Sequence, residues 1–314
     1  MPFAIAINNA VILSAHTDYV PFIGSVGISE GRIAWIGEKP IAPGEAAKRI
    51  DAAGHILMPG LFNAHCHGDM TFARGLGDDL TLLEQNEAFA DTDWFYTLIN
   101  DDDRFYSRQL TYCEALLSGT TFLNENMYWG LGERSAEAMA ATGIKGALSE
   151  DIRYDFTRPA ELLSDTRLAE LAARAQDCGL IPVLGGLSEE DYSATLLQRV
   201  EAKRSQFDLI LTCHLAETDW RVERIAALYD CTPIEYLAQN NCLHEKILGS
   251  HVVWTTPHDL ELLAKYNVKI VNTPLCEMKI ADGIARIPAM VQTGLCVCLR
   301  MAPCGTTAMT YFVK

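Results

Sequence analysis

Two histidines separated by one residue, His65 and His67, close the stretch Met58-Pro-Gly-Leu-Phe-Asn-Ala-His-Cys-His67. Side chains at i and i+2 of a strand project to the same side, so these imidazoles can clasp one metal ion. Alone, a His-x-His pair in a loop is as readily two unrelated histidines. A third imidazole, His214, ends another apolar stretch, and Glu217 follows three residues later. Three histidines can hold zinc and leave a position open for water. Glu217 is then placed to move protons between that water and a substrate nitrogen. Without His214 beside it, Glu217 would read as an acid favoured by a helix N-terminus. His251 is a fourth imidazole, suited to hydrogen-bond the metal-held hydroxide; by itself it would be a satisfied core histidine. His16 and His55 fall in the N-terminal region and His244 and His258 beside helices, and none of these four receives a catalytic role. The set implies metal-assisted hydrolysis, in which a divalent ion makes hydroxide available at neutral pH for attack on an sp² carbon bearing an amino or halide leaving group.

The elements that must position these residues are legible as periodicity. Over residues 1–58, short apolar runs at 4–14, 24–28, 32–37 and 56–58 are broken by turn signals such as Glu30-Gly31, which predicts a small β domain. From residue 59 to 299, strands alternate with helices. Strands are expected up to His67 and at 120–124, 144–148, 180–184, 208–214, 247–254, 268–272 and 295–299. Helices are expected at 135–142, 160–178, 192–204, 219–229, 257–266 and 284–292, with Leu162, Leu163, Leu168 and Leu171 forming the stripe of the second. Eight β units in α/β alternation predict a parallel (β/α)8 TIM barrel. A doubly wound sheet would usually place a glycine-rich turn after its first strand, and Asn63-Ala64-His65-Cys66-His67 offers none.

Composition narrows the function. The 314 residues are 49% hydrophobic and 21% charged, enough for a sizeable core. With 25 Lys+Arg against 41 Asp+Glu the net charge is −16, which argues against nucleic acid as a partner. No 18-residue apolar run exists, so no membrane span is expected. Ten cysteines without a disulfide-framework spacing read as reduced thiols of a cytoplasmic protein.

In combination, Met58 to His67, Arg74-Gly-Leu-Gly-Asp-Asp79, His214-Leu-Ala-Glu-Thr218 and Ala281-Asp-Gly-Ile284 resemble the amidohydrolase superfamily. The similarity, over about residues 1–299, is to the branch of cytosine deaminase, S-adenosylhomocysteine/methylthioadenosine deaminase and the triazine chlorohydrolases. It implies one divalent metal ion, Zn²⁺ or Fe²⁺, with His65, His67 and His214 as ligands. Glu217 matches the proton shuttle, and His251 the histidine that contacts the activated water. The implied reaction is hydrolytic deamination, or dechlorination, of an amino-substituted purine, pyrimidine or triazine. The implied partner is that small aminoheterocycle, and relatives of this kind commonly form homo-oligomers. Residues 1–58 resemble part of the small β-sandwich of such proteins.

Two stretches depart from the pattern. Relatives carry Asn-Pro-x-x-Asn-x-Lys after the seventh strand, whereas this chain has Thr273-Pro-Leu-Cys-Glu-Met-Lys279. After the eighth strand the family has Gly-Thr-Asp-Gly, whose Asp is the last metal ligand and a base; here Leu299 is followed by Arg300-Met-Ala-Pro, and no carboxylate side chain follows Asp282. With suitable codons, residues 299–314 read two bases out of frame spell Thr-Asp-Gly-Ala-Leu-Trp-Asn-Asn-Ser-Asn-Asp-Leu-Phe-Arg-Glu. The expectation is therefore a C-terminally incomplete barrel with an aberrant, frameshifted tail at 300–314 and exposed apolar faces and edges. A chain that binds metal or a partner without turnover is the competing reading.

Overall fold

A computed structural model of the chain describes residues 2–14, 20–90, 100–126, 132–151, 164–300 and 310–313. The chain divides into two compact units, Met1–Gly60 and Leu61–Lys314.

The first unit is a single five-stranded sheet in which the sequence suggests part of a sandwich. Its strands are β1 (Phe3–Ile12), β2 (Phe22–Ser29), β3 (Arg32–Gly37), β4 (Ala46–Asp51) and β5 (Ile56–Leu57). The order is β3-β2-β1-β4, with β5 also on β1. Pairs β1–β2 and β2–β3 are antiparallel, while β4 and β5 run parallel to β1. Ala6, Ile41 and Ala46 pack on one another, as do Ala10, Ile12 and Val26. Strand β4 escapes a periodicity reading because, Ala46 apart, its residues are all exposed and show no alternation.

The second unit is a nearly closed barrel. Eight parallel strands run in chain order: β6 (Leu61–Cys66), β7 (Thr120–Asn126), β8 (Lys145–Asp151), β9 (Ile181–Leu187), β10 (Leu211–Leu215), β11 (Ile247–His251), β12 (Lys269–Asn272) and β13 (Cys296–Arg300). Every expected barrel strand is present. Their apolar residues, among them Leu184, Leu187, Leu211, Leu215, Ile247, Ile270 and Val297, form one buried cluster with Ile225 and Leu263 of the helical layer. That layer comprises α1 (Leu82–Ala90), α2 (Asp101–Leu117), α3 (Gly132–Thr142), α4 (Asp165–Asp177), α5 (Ala194–Gln206), α6 (Asp219–Tyr229), α7 (Pro233–Gln239), α8 (Pro257–Lys265), α9 (Pro274–Ile280) and α10 (Ile287–Gln292). Gly143 and Gly179 take φ of +76° and +69° and so let α3 and α4 turn directly into β8 and β9. Leu162 and Leu163 of the expected second stripe lie outside the described residues, as do 301–309 of the tail. The tail is not wholly irregular: β14 (Thr310–Val313) pairs antiparallel with β13, Leu299 opposite Tyr311, and covers an edge expected to be bare.

Helix α2 carries no apolar stripe in the sequence because its buried face is largely polar: Ser107, Arg108, Thr111, Tyr112 and Ala115. Arg108 is fully buried; its Nη2 lies 3.0 Å from Asp69 Oδ2 and its Nε 3.3 Å from Glu125 Oε1. The Tyr112 hydroxyl donates to Glu125 Oε2 at 2.6 Å, and Thr111 donates to the Gly68 carbonyl at 2.9 Å. A Cβ on Gly68 would lie 2.6 Å from Glu125 Oε2, so only glycine lets the chain pass this close. This network ties the turn after β6 and the end of β7 to one helix. Removing one partner of a buried charge set leaves the others uncompensated. Arg108→Leu is therefore expected to destabilise the chain by about 3–5 kcal/mol in urea unfolding, and a loss below about 1 kcal/mol would contradict this role.

Candidate active site

The C-terminal ends of β6, β10 and β11 bring four imidazoles together. His65 stands 4.8 Å from His67, 5.0 Å from His214 and 5.2 Å from His251, centroid to centroid, with its ring nearly perpendicular to each. His67 and His214 are parallel at 5.4 Å, and His214 and His251 nearly so at 5.3 Å. The Nε2 atoms of His67 and His214 are 3.3 Å apart. Ligand nitrogens of His65, His214 and His251 all lie within 4.8 Å of one another. The structure thus gathers His65, His67 and His214, and adds His251 at like distances from His65 and His214.

What fixes the rings of His65, His67 and His251 is a second nitrogen. His67 Nδ1 donates to the Asn126 carbonyl at 2.9 Å, which leaves Nε2 with its lone pair. His65 Nδ1 lies 2.8 Å from the Ser250 hydroxyl, across the barrel interior, and also meets the Asn126 side chain. Ser250 is opposite His214 in the β10–β11 register. Such outer partners set tautomer and orientation in histidine metal sites. Two nitrogens bound tetrahedrally at about 2.1 Å stand about 3.4 Å apart, close to the His67–His214 spacing. The donor set therefore fits Zn²⁺ or Fe²⁺.

Glu217 and His251 owe their positions to strained backbone. Ala216, His251 and Val252 take φ of 47°, 72° and 54°, rare for residues with a Cβ and rarest for β-branched valine. These turns fold the end of β11 over β10: Val252 N–H donates to the Leu215 carbonyl, and Val253 and Trp254 both donate to that of Ala216, each at 2.9 Å. Glu217, 4% exposed, comes to rest with Oε1 3.4 Å from His251 Nε2 and Oε2 paired to Arg221 Nη1. Arg221 Nη2 also holds Glu190 at 2.6 Å.

Beneath His251, Nδ1 lies 2.8 Å from the Thr273 hydroxyl, which donates to Glu277 Oε1 at 3.1 Å. Burial works against the charged imidazole, but the charges of Glu217, Glu277 and Asp282 outweigh it and raise the His251 pKa. The departing stretch Thr273–Lys279 thus acts on the site through the two positions where relatives carry asparagine.

Sequence reasoning missed Asn126, Arg221, Glu189 and the supporting roles of Thr273 and Glu277. Glu189 could have been noticed as the first acid after the apolar run of β9; it is buried and accepts from Ala216 N–H. The histidines without an assigned role have ordinary partners where described: His244 with Glu201 at 2.8 Å, His258 near Glu235 and Glu261, and His55 at the Ala53 carbonyl.

A β/α barrel with histidines and an acid at the C-terminal ends of its strands defines a class of metal-assisted hydrolases. The chain belongs to the amidohydrolase family, whose model matches residues 56–306. It is 32% identical over 303 residues to a 5-methylthioadenosine/S-adenosylhomocysteine deaminase of Desulforudis audaxviator, covering 92% of this chain and 66% of that one. It is 31% identical over 280 residues to a 5'-deoxyadenosine deaminase of Methanothermobacter thermautotrophicus, covering 88% and 64%. The chain thus spans about two thirds of the length of these relatives. Its fold is similar to that of an adenosine deaminase from Xanthomonas campestris with bound zinc, at a TM-score of 0.86, 22% identity and coverage of 97% of this chain and 70% of that one. The family uses a divalent metal ion, and no helix among the described residues is long and apolar enough to cross a membrane.

Burial also sets a pH dependence. Burial, opposed by the charge of Arg221, pushes Glu189 up to about 7; burial, with the charge of Glu217 added, pushes Asp282 up to about 8; and burial, opposed by Arg108, holds Glu125 at about 7. Each binds a proton in the folded state at a pH where the unfolded chain has lost it, and His251, with its raised pKa, does the same. Stability must then fall as pH rises from about 5 to 8. Melting of the metal-free chain should show a falling Tm across that window, with a shallower fall in Glu189→Gln; a rising Tm would contradict these burial assignments.

Proposed function

We propose that this chain is a metal-dependent hydrolase that removes the amino group of an amino-substituted heteroaromatic ring as ammonia, with 6-aminopurine nucleosides as the first substrate class to test. The observation that carries the reading is the convergence of four imidazoles and Glu217 on one barrel mouth. His65, His67 and His214 would hold the ion, which supplies Lewis acidity and a water made nucleophilic at neutral pH. Glu217 Oε1 would carry one proton from the attacking water to the ring nitrogen beside the reacting carbon and a second from the added hydroxyl to the departing nitrogen. His251 Nε2, 3.4 Å from that oxygen, orients the incoming hydroxyl, and Arg221 holds the other Glu217 oxygen so that the carboxylate does not swing away. A C–O bond forms, the C–N bond breaks, and the nitrogen leaves with its proton. A ring carbon bearing chloride presents the same centre, so dechlorination belongs to the same test.

The alternative, a chain that binds metal without turnover, is favoured by one observation: Leu299-Arg300, where β13 ends, carries no acid. Reduced thiols suit a cytoplasmic setting; Cys66, Cys213, Cys231, Cys242 and Cys298 are buried and form no disulfide among the described residues. The net charge of −16 speaks for a small molecule over nucleic acid. A homo-oligomer is the assembly we expect.

The test is metal content and ammonia release from adenosine, 5'-deoxyadenosine, 5'-methylthioadenosine, cytosine and aminotriazines after loading with Zn²⁺ or Fe²⁺. Bound metal with release supports the proposal; bound metal without release on any substrate supports the alternative. Glu217→Gln should retain metal while losing about 10²- to 10⁴-fold in turnover. His67→Ala should lose metal and His251→Ala should keep it; the reverse outcome would exchange their roles.

A further inference from the structure

Asp282 takes no part in the steps above, yet the fold places it with care. Ala281 ends α9 in a left-handed conformation (φ 57°), which returns Asp282 N–H to the Glu277 carbonyl at 3.0 Å. The Asp282 carbonyl accepts from the Trp254 indole, and Gly283, at φ +117°, lies so close to that ring that a Cβ would stand 3.1 Å from it. The main chain at Asp282 is thereby fixed between the segments that follow β11 and β12. Its side chain is 5% exposed, and Oδ2 has no hydrogen-bond partner among the described residues. The charges that act on the carboxyl are those of Glu217, His251, Arg221 and Glu277, all of them site residues. A buried polar atom left without a partner is costly and calls for an explanation. Exposed Met278 and Ile284 stand nearby in sequence and the half-exposed Trp254 is hydrogen-bonded to the Asp282 carbonyl, and apolar surface beside a few fixed polar groups is how pockets hold flat ligands.

We propose that Asp282 is a substrate-orienting residue whose carboxyl hydrogen-bonds a ring nitrogen of the aminoheterocycle other than the one that receives its proton from Glu217. The inference rests on the deaminase reading and names the contact that aligns the ring. An sp² ring nitrogen offers a lone pair, so the carboxyl must act as donor, and burial favours its neutral form.

The zinc-loaded full chain provides the test, with adenosine and 5'-deoxyadenosine turnover and the binding of purine riboside, which keeps the ring nitrogens but has no amino group to lose. Asp282→Ala is expected to raise KM and the purine riboside Kd about tenfold, a larger change than any fall in kcat, with zinc content retained. Asp282→Asn, which keeps a donor, should recover most of that loss. If Asp282→Ala leaves KM and Kd within about twofold of the parent chain, the inference is overturned while the deaminase reading stands. If Asp282→Asn is as impaired as the alanine variant, the donor assignment is wrong. A parent chain that neither binds purine riboside nor releases ammonia overturns the deaminase reading, and the inference with it. Zinc content and circular dichroism of the variants separate lost contact from lost fold, and Asp282→Ser supplies a second small polar variant should the alanine chain fail to accumulate.

Discussion

Everything at the barrel mouth depends on the Nδ1 atoms of its histidines being held by partners that belong to the barrel itself. His67 is pinned by the Asn126 carbonyl at the end of β7, His65 by Ser250 on the far side of the barrel, and His251 by Thr273 after β12. Imidazoles about 5 Å from their neighbours would otherwise be free to rotate out of a common focus. Because these partners come from β7, β11 and the turn after β12, the site exists only when the sheet has curled far enough to bring β6 opposite β11. The Arg108 network extends the same constraint outwards. It clamps Glu125, the residue before Asn126, and Asp69, two residues after His67, to helix α2. Local strain at His251 and Val252 is tolerated because hydrogen bonds to Leu215 and Ala216 over-determine the turn.

The second theme is acid burial. Glu189, Glu217, Glu277 and Asp282 are each less than a tenth exposed, with Arg221 as the principal countercharge. Such a cluster is expensive in a neutral interior, and it makes sense beside a dication. The positions that depart from the relatives' asparagines, Thr273 and Glu277, add a charged group beneath His251. The chain thus raises the acidity of its surroundings where its relatives use a neutral amide. This is a difference in how one imidazole is held, made by residues that lie off the metal-ligand set.

Much of the fold was legible because the barrel strands read as apolar runs and helix α4 carries a stripe at helical spacing, with Leu168 and Leu171 buried. Helix α2 was not, since its buried face is occupied by Ser107, Arg108 and Thr111, which satisfy one another only in three dimensions. Strand β4 was hidden by exposure, and α7 and α9 by their length of seven residues. At the site, the histidines and Glu217 stood out because their spacing follows the strand and the turn after it. Asn126, Ser250 and Arg221 could not stand out: their meaning comes from distances across the barrel, with 185 residues separating Ser250 from His65. Asp282 was visible as part of Ala281-Asp-Gly-Ile284 but not as a buried carboxyl without a partner.

The central claim is that the imidazoles form one metal centre, and X-ray absorption at the zinc edge of the loaded chain tests it most directly. The account predicts a first shell of nitrogen and oxygen scatterers at about 2.0–2.1 Å, with the multiple-scattering signature of about three imidazoles. Sulfur scatterers near about 2.3 Å, which would place the ion on one of the cysteines, or a shell without imidazole features, would contradict it.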